Sequence, residues 1–232
     1  MTGPEADSYP GYAGDAGDAG DGSEPGGRLS GSARVEAFSD GVLAIAITLL
    51  VLDLHATSHD LSRELLRQWP GYLAYLASFG YIGVIWVNHH QLFNRIAAVD
   101  LGLLWRNLGL LLGVSVLPFP TAVLSSAFGS GSRPDEVTAS VFYALVAAFM
   151  AATWLVLFHY LATHEELLQR HTPASFFANE RLRALLGVVA YLIAAAVAAA
   201  SALASLVIIC VLPVFYGATS EGWRRNVPGR RS

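Results

Sequence analysis

Asp40 stands where a carboxylate is costly. It lies in the run Arg34-Val-Glu-Ala-Phe-Ser-Asp-Gly41, about two turns into a helix whose later residues are nearly all aliphatic. A carboxylate carried into hydrocarbon must be paired, so such an acid is a functional candidate by default. It can carry a proton or anchor a polar network. The plainer alternative places it at headgroup level, capping the apolar part of the helix. His89 and His90 close a second apolar segment in Trp86-Val-Asn-His-His-Gln91, and Asn107 lies in a third. If the first two segments run antiparallel, Asp40 shares a depth with His89 or His90. Together with Asn107 they could form one hydrogen-bonded network; ordinary interfacial polarity is the competing reading.

Other chemistry has less support. His89 and His90 point about 100° apart on a helix, which suits a shared metal ion poorly. His55 and His59 have i, i+4 spacing but no further ligand set. Neither a metal nor a cofactor is expected. The sequence has no phosphate-binding glycine loop, no Gly-x-Ser-x-Gly and no zinc signature, so no enzyme is expected. Phe79-Gly-Tyr-Ile-Gly83 faintly echoes the Thr-Val-Gly-Tyr-Gly carbonyl filter. It lacks the Thr-Val and sits inside a continuous apolar run, so Gly80 and Gly83 are expected to permit close helix packing instead.

These residues need helices that cross a membrane. The chain has 232 residues, 54% hydrophobic and 14% charged, with a mean hydropathy of +0.48. Soluble domains carry about 25% charged residues. Residues 1–33 form an acidic Gly/Asp/Ala-rich tail, read as disordered. Residues 34–217 hold the membrane domain and 218–232 an Arg-rich tail. Spans are expected at about 34–54, 69–90, 101–124 and 137–163, each near the 20 or so residues a span needs. Asp100 suits an N-cap, and Asp135 and Glu136 suit a helix start. Pro118, Pro120 and Pro213 each mark a helix end or a hinge. The charge-free stretch 182–216 is long for one span and short for two. With a tight turn near Ala200-Ser201-Ala202 there are six spans, and arginines divide 11 to 3 across the membrane. With five spans they divide 7 to 7. The positive-inside rule favours six, with both termini cytoplasmic in a cell membrane. The basic cluster Arg224, Arg225, Arg230 and Arg231 then faces anionic lipid, and nucleic acid is not an expected partner.

Ile45, Leu49 and Leu52 share one helical face, with Thr48 at its border. Periodicity alone leaves packing and lipid contact open for this stripe. The run Arg34-x-x-x-Phe38-Ser39-Asp40-Gly41, followed by Ala44-Ile45-x-x-Thr48-Leu49-Leu50-Val51-Leu52, resembles the signature of the transmembrane protein 175 family of potassium channels, in its bacterial single-repeat branch. The resemblance implies an all-α membrane protein with six transmembrane helices per subunit. It implies a homotetramer around a central pore in the bilayer, passing potassium ions without a carbonyl filter. Ile45, Leu49 and Leu52 would form the apolar gate and Thr48 a hydroxyl layer for selectivity. Arg34, Phe38, Ser39, Asp40 and Gly41 would lock the first helix to its neighbours. A proton pathway or proton-coupled transporter built on Asp40 and the histidines is the alternative.

Overall fold

In the computed structural model, residues 31–54 and 61–219 are described, and nearly all are helical. The N-terminal tail up to residue 30, His55 and His59, and the arginine cluster from 224 onward lie outside them. Helix α1 (Gly31–Leu49) tightens into a 3-10 turn, Leu50–Asp53. Then come α2 (Leu61–Arg67), α3 (Trp69–Phe93), α4 (Leu101–Val116), α5 (Pro118–Ser130), α6 (Arg133–Thr163), α7 (Ala174–Ala198) and α8 (Ala202–Thr219). Among the described residues, five stretches are long and apolar enough to cross a membrane: Gly31–Leu52, Leu101–Ser130, Arg133–Thr163, Ser175–Ala198 and Ala202–Thr219. Helix α3 is 25 residues long but is not among those five. Tyr72, Tyr75 and Tyr81 dilute it, and it ends in Asn88-His-His-Gln91.

The long uncharged stretch does divide. Helix α7 stops at Ala198 and α8 begins at Ala202. The amides of Ala200 and Ser201 both return to the Val197 carbonyl, at 3.0 and 2.9 Å, which closes the turn. The other break lies inside the third span. Pro118 lacks the amide that would continue α4, so a new helix starts there. Leu117 between them keeps helical angles, and Thr121 donates its hydroxyl to the Leu117 carbonyl at 2.8 Å. Pro118 therefore interrupts a longer span instead of ending it, and the span runs on to Ser130, past the expected 124. Gly131 ends it at φ 69°, the left-handed conformation that favours glycine.

Asp100 caps α4 by accepting from the Leu103 amide at 2.7 Å. It also accepts a short hydrogen bond from the Tyr160 hydroxyl, and that bond holds its carboxyl below the usual aspartate value. The Tyr160 ring lies under the Arg106 guanidinium, 3.7 Å away, and stacks on His164. Arg106 also donates to the Gly102 carbonyl at 2.8 Å, so this cation is held against its own helix. At the same end, the 94–99 and 164–170 loops pair through Ala97 N to Leu167 O, 2.8 Å, and Gln169 N to Arg95 O, 2.9 Å.

Close helix approach does occur at glycines, but not at those expected. A Cβ added at Gly80 or Gly83 would meet no atom within 4 Å, whereas at Gly113 it would lie 3.1 Å from Met150. Of the three glycines of α3, only Gly71 sits close to a neighbour: a Cβ there would lie 3.0 Å from the Ser125 hydroxyl oxygen.

Candidate functional site

Helix α1 has two unlike faces. Ser39, Leu43, Ala46 and Leu50 are buried against the rest of the bundle. Phe38, Ile45, Leu49 and Leu52 are 56%, 60%, 41% and 68% exposed, and Arg34, Gly41 and Thr48 are exposed beside them. The exposed positions recur at three- and four-residue intervals, so they form one stripe along the helix. Leu52 follows from the 3-10 turn, where the stripe continues. Thr48 donates its hydroxyl to the Ile45 carbonyl at 2.8 Å. That bond uses the proton and leaves oxygen lone pairs on the exposed side.

Behind the stripe lies a polar chain. His89, fully buried, donates from Nε2 to Asn107 Oδ1 at 3.0 Å. Asn107 Nδ2 donates to Ser39 Oγ at 2.9 Å, and Ser39 donates to the Val35 carbonyl at 2.8 Å. Each donor in this run meets an acceptor, so α3, α4 and α1 are joined through three side chains in a place closed to water. The His89 ring stacks on Phe93, with 4.4 Å between centroids, and meets the edge of Trp154 at 6.5 Å.

Asp40 turns toward α3 but does not meet a histidine. Its Oδ1 accepts from Trp86 Nε1 at 3.0 Å. Glu36, one turn earlier on α1, accepts from His90 Nδ1 at 2.6 Å, one turn later on α3. The expected Asp40–histidine pair is thus corrected to two rungs of an antiparallel helix pair, Glu36–His90 and Asp40–Trp86. His90 is already held between Glu36 and the Asn94 side chain, which donates to its Nε2 at 3.1 Å. His89 faces the opposite way, toward Asn107. Neighbouring positions on a helix diverge by about 100°, which is why the two histidines serve different partners.

Of the signature residues, Ser39 and Asp40 bind helices of their own chain, while Arg34, Phe38 and Gly41 lie on the exposed side. Within one chain these three do not lock α1. Among the described residues, no three His, Cys, Asp or Glu side chains converge as a metal site requires. Glu36 and Trp86 were not singled out by the sequence. The signal available was their placement, four residues before Asp40 and four before His90.

This fold defines a helical, multi-pass membrane protein; α1 leaves one apolar face uncovered by its own bundle, as do α4, α7 and α8 at residues such as Leu112, Leu192 and Val207. The chain belongs to the TMEM175 family: residues 34–118 match the family described as Endosomal/lysosomal potassium channel TMEM175. It is 40% identical over 190 residues to a potassium channel of Streptomyces collinus, covering 80% of this chain and 91% of that one. It is 36% identical over 202 residues to a potassium channel of Chamaesiphon minutus, covering 83% and 96%. The crystal structure of a lysosomal potassium-selective channel TMEM175 homolog from Chamaesiphon minutus matches with a TM-score of 0.71 at 34% identity, over 84% of this chain and 98% of that one. The human endosomal/lysosomal proton channel TMEM175 is 33% identical over 137 residues, which is 52% of this chain and 27% of that protein.

Proposed function

We propose that the chain forms a potassium-permeable channel of the cell membrane, a homotetramer whose four α1 helices surround a central pore. The observation that carries this reading is the stripe Ile45, Thr48, Leu49 and Leu52, exposed on the one side of α1 that its own bundle leaves open. A single helix cannot enclose a pore, and identical copies close most simply by rotational symmetry. Ile45 makes the narrowest ring, backed by Leu49 and Leu52. Converging apolar side chains exclude water and gate by dewetting. A small rotation or outward shift of α1 widens the ring. Thr48 then offers its oxygen to a cation shedding water, and potassium gives up hydration more readily than sodium. Four hydroxyls replace a hydration shell less completely than stacked carbonyls, so the preference is modest. Both termini face the cytoplasm, in keeping with the arginine distribution.

Flux from liposomes under opposed potassium and sodium gradients tests the reading. Potassium flux exceeding sodium flux, with no countersubstrate, is the expected result; no flux of either ion would remove it. One observation favours proton conduction as a second reading. The Glu36–His90 pair, a titratable couple 2.6 Å apart, lies at the seam beside Asp40, and a human relative carries the name of a proton channel. Flux driven by a pH gradient alone separates the two readings.

A further inference from the structure

A cavity at the end of the bundle away from the α7–α8 turn is lined by the 165–172 segment, by Ala97 and by Phe177 of α7. Its volume is about 620 Å³, within the roughly 300–1,000 Å³ of ligand-sized pockets. Ala97, Leu168 and Phe177 supply apolar lining, while Glu165, Glu166 and Arg170 supply charge and are all exposed. Among the described residues, neither carboxylate has an ion-pair partner. Two carboxylates against one guanidinium leave the lining net negative.

The end of α8 is tied beside this cavity. Thr219, its last residue, accepts from Arg183 at 3.0 Å, and the Tyr216 hydroxyl donates to the Arg183 carbonyl at 2.8 Å. Phe177 lies about 9 Å from Arg183 along α7, toward the start of that helix. The sequence past Thr219 carries Trp223, Arg224, Arg225, Arg230 and Arg231, with Glu221 its one acid. At about 3.3 Å per extended residue, Arg224 can lie up to about 16 Å from Thr219, so the cavity is within reach of its own chain. The chemistry is complementary: arginines for Glu165 and Glu166, a carboxylate for Arg170, and an indole for the apolar lining. A phosphate-bearing lipid headgroup would instead meet two carboxylates.

We propose that the segment following α8 docks in this cavity of its own chain, with Arg224 and Arg225 on Glu165 and Glu166 and Trp223 against Leu168 and Phe177. The 94–99 loop, which contributes Ala97, already pairs with the 164–170 loop through the Ala97 and Gln169 amides. The docked segment therefore ties the end of α8 to both loops. The docking does not rest on the channel reading. Its ion pairs are exposed, so salt weakens it.

Trypsin cleavage of the purified full chain in neutral detergent at low salt, read by mass spectrometry, tests the docking. Relative to cleavage after Arg28, cleavage after Arg224 and Arg225 should run at least fivefold faster in Glu165→Gln/Glu166→Gln than in the parent. In about 1 M salt, where the screening length is about 3 Å, the parent should approach the rate of the variant. Equal rates for parent and variant at low salt overturn the docking. Protection that appears only in vesicles of anionic lipid also overturns it, and seats the arginines on headgroups. A second measurement leaves the glutamates in place. The sequence has no lysine, so carbodiimide can couple the amine introduced by Arg224→Lys to a carboxylate without competition from another side-chain amine. An amide to Glu165 or Glu166 within one chain is the expected product. Coupling only to Glu221 or Glu180, coupling to none, or a bond that joins two chains overturns the proposal.

Discussion

Asn107 Nδ2 and Ser39 Oγ, 68 positions apart in the chain, meet at 2.9 Å in a part of the bundle closed to solvent. The carboxamide is the middle of the chain from His89 to α1, accepting from one side and donating to the other. Asn107→Ala leaves the buried His89 N–H without its acceptor, at a cost of about 1–3 kcal/mol, while the Ser39 hydroxyl keeps its bond to the Val35 carbonyl. Thermal unfolding in detergent should show a lower midpoint for Asn107→Ala, and a smaller loss for Ser39→Ala. An unchanged midpoint for Asn107→Ala would mean the network holds nothing.

Asp40 meets a neutral indole donor, not a charged histidine. Removing it therefore costs the roughly 1.5–3 kcal/mol of a hydrogen bond to a charged group, less than loss of a buried ion pair. Asp40→Ala and Trp86→Phe should lower the yield of assembled protein to similar extents. Asp40→Asn, which keeps an acceptor oxygen, should recover much of it. A fully assembled Asp40→Ala protein with altered ion preference would instead place the carboxylate in the ion path.

Gly102 leaves no room for a side chain. A Cβ there would lie 2.2 Å from the Tyr160 hydroxyl oxygen. Gly102→Ala must displace Tyr160 from Asp100 and from beneath Arg106, and overpacking of this kind costs about 1–3 kcal/mol. The unfolding midpoint should fall, and Tyr160→Phe in the same background should restore part of it. Equal stability of Gly102→Ala and the parent would show that the Tyr160–Asp100 contact contributes nothing.

Much of this architecture was legible from local chemistry. Asp100 caps α4 because a side-chain acceptor before an apolar helix has one obvious use. The turn between α7 and α8 followed from length and arginine placement, and Pro118 marked the break in the third span. Pairing between helices was less accessible. Asp40–Trp86 and Glu36–His90 depend on how far α1 slides along α3, and helical periodicity carries no information on that register. For the same reason Gly80 and Gly83 suggested close packing that occurs at Gly113. The exposed stripe on α1 was visible as spacing, but in an apolar chain only the bundle shows which apolar face is left uncovered.

Among the described residues, Thr48 bonds only to a carbonyl of its own helix, so its loss should matter little for folding and more for ions. Thr48→Ala should lower the potassium-over-sodium permeability ratio by about threefold or more, since each tenfold corresponds to about 1.4 kcal/mol. Bi-ionic reversal potentials measure this directly. A ratio that stays constant would move selectivity to another layer.

The central claim is that the uncovered face of α1 is the wall of the pore, with Ile45 at its narrowest ring. Single-channel recording of Ile45→Asn in planar bilayers tests it most directly. A polar side chain wets the ring, so open probability or conductance should rise severalfold over the parent. If both stay unchanged in a normally assembled protein, Ile45 does not line the gate and the pore assignment fails.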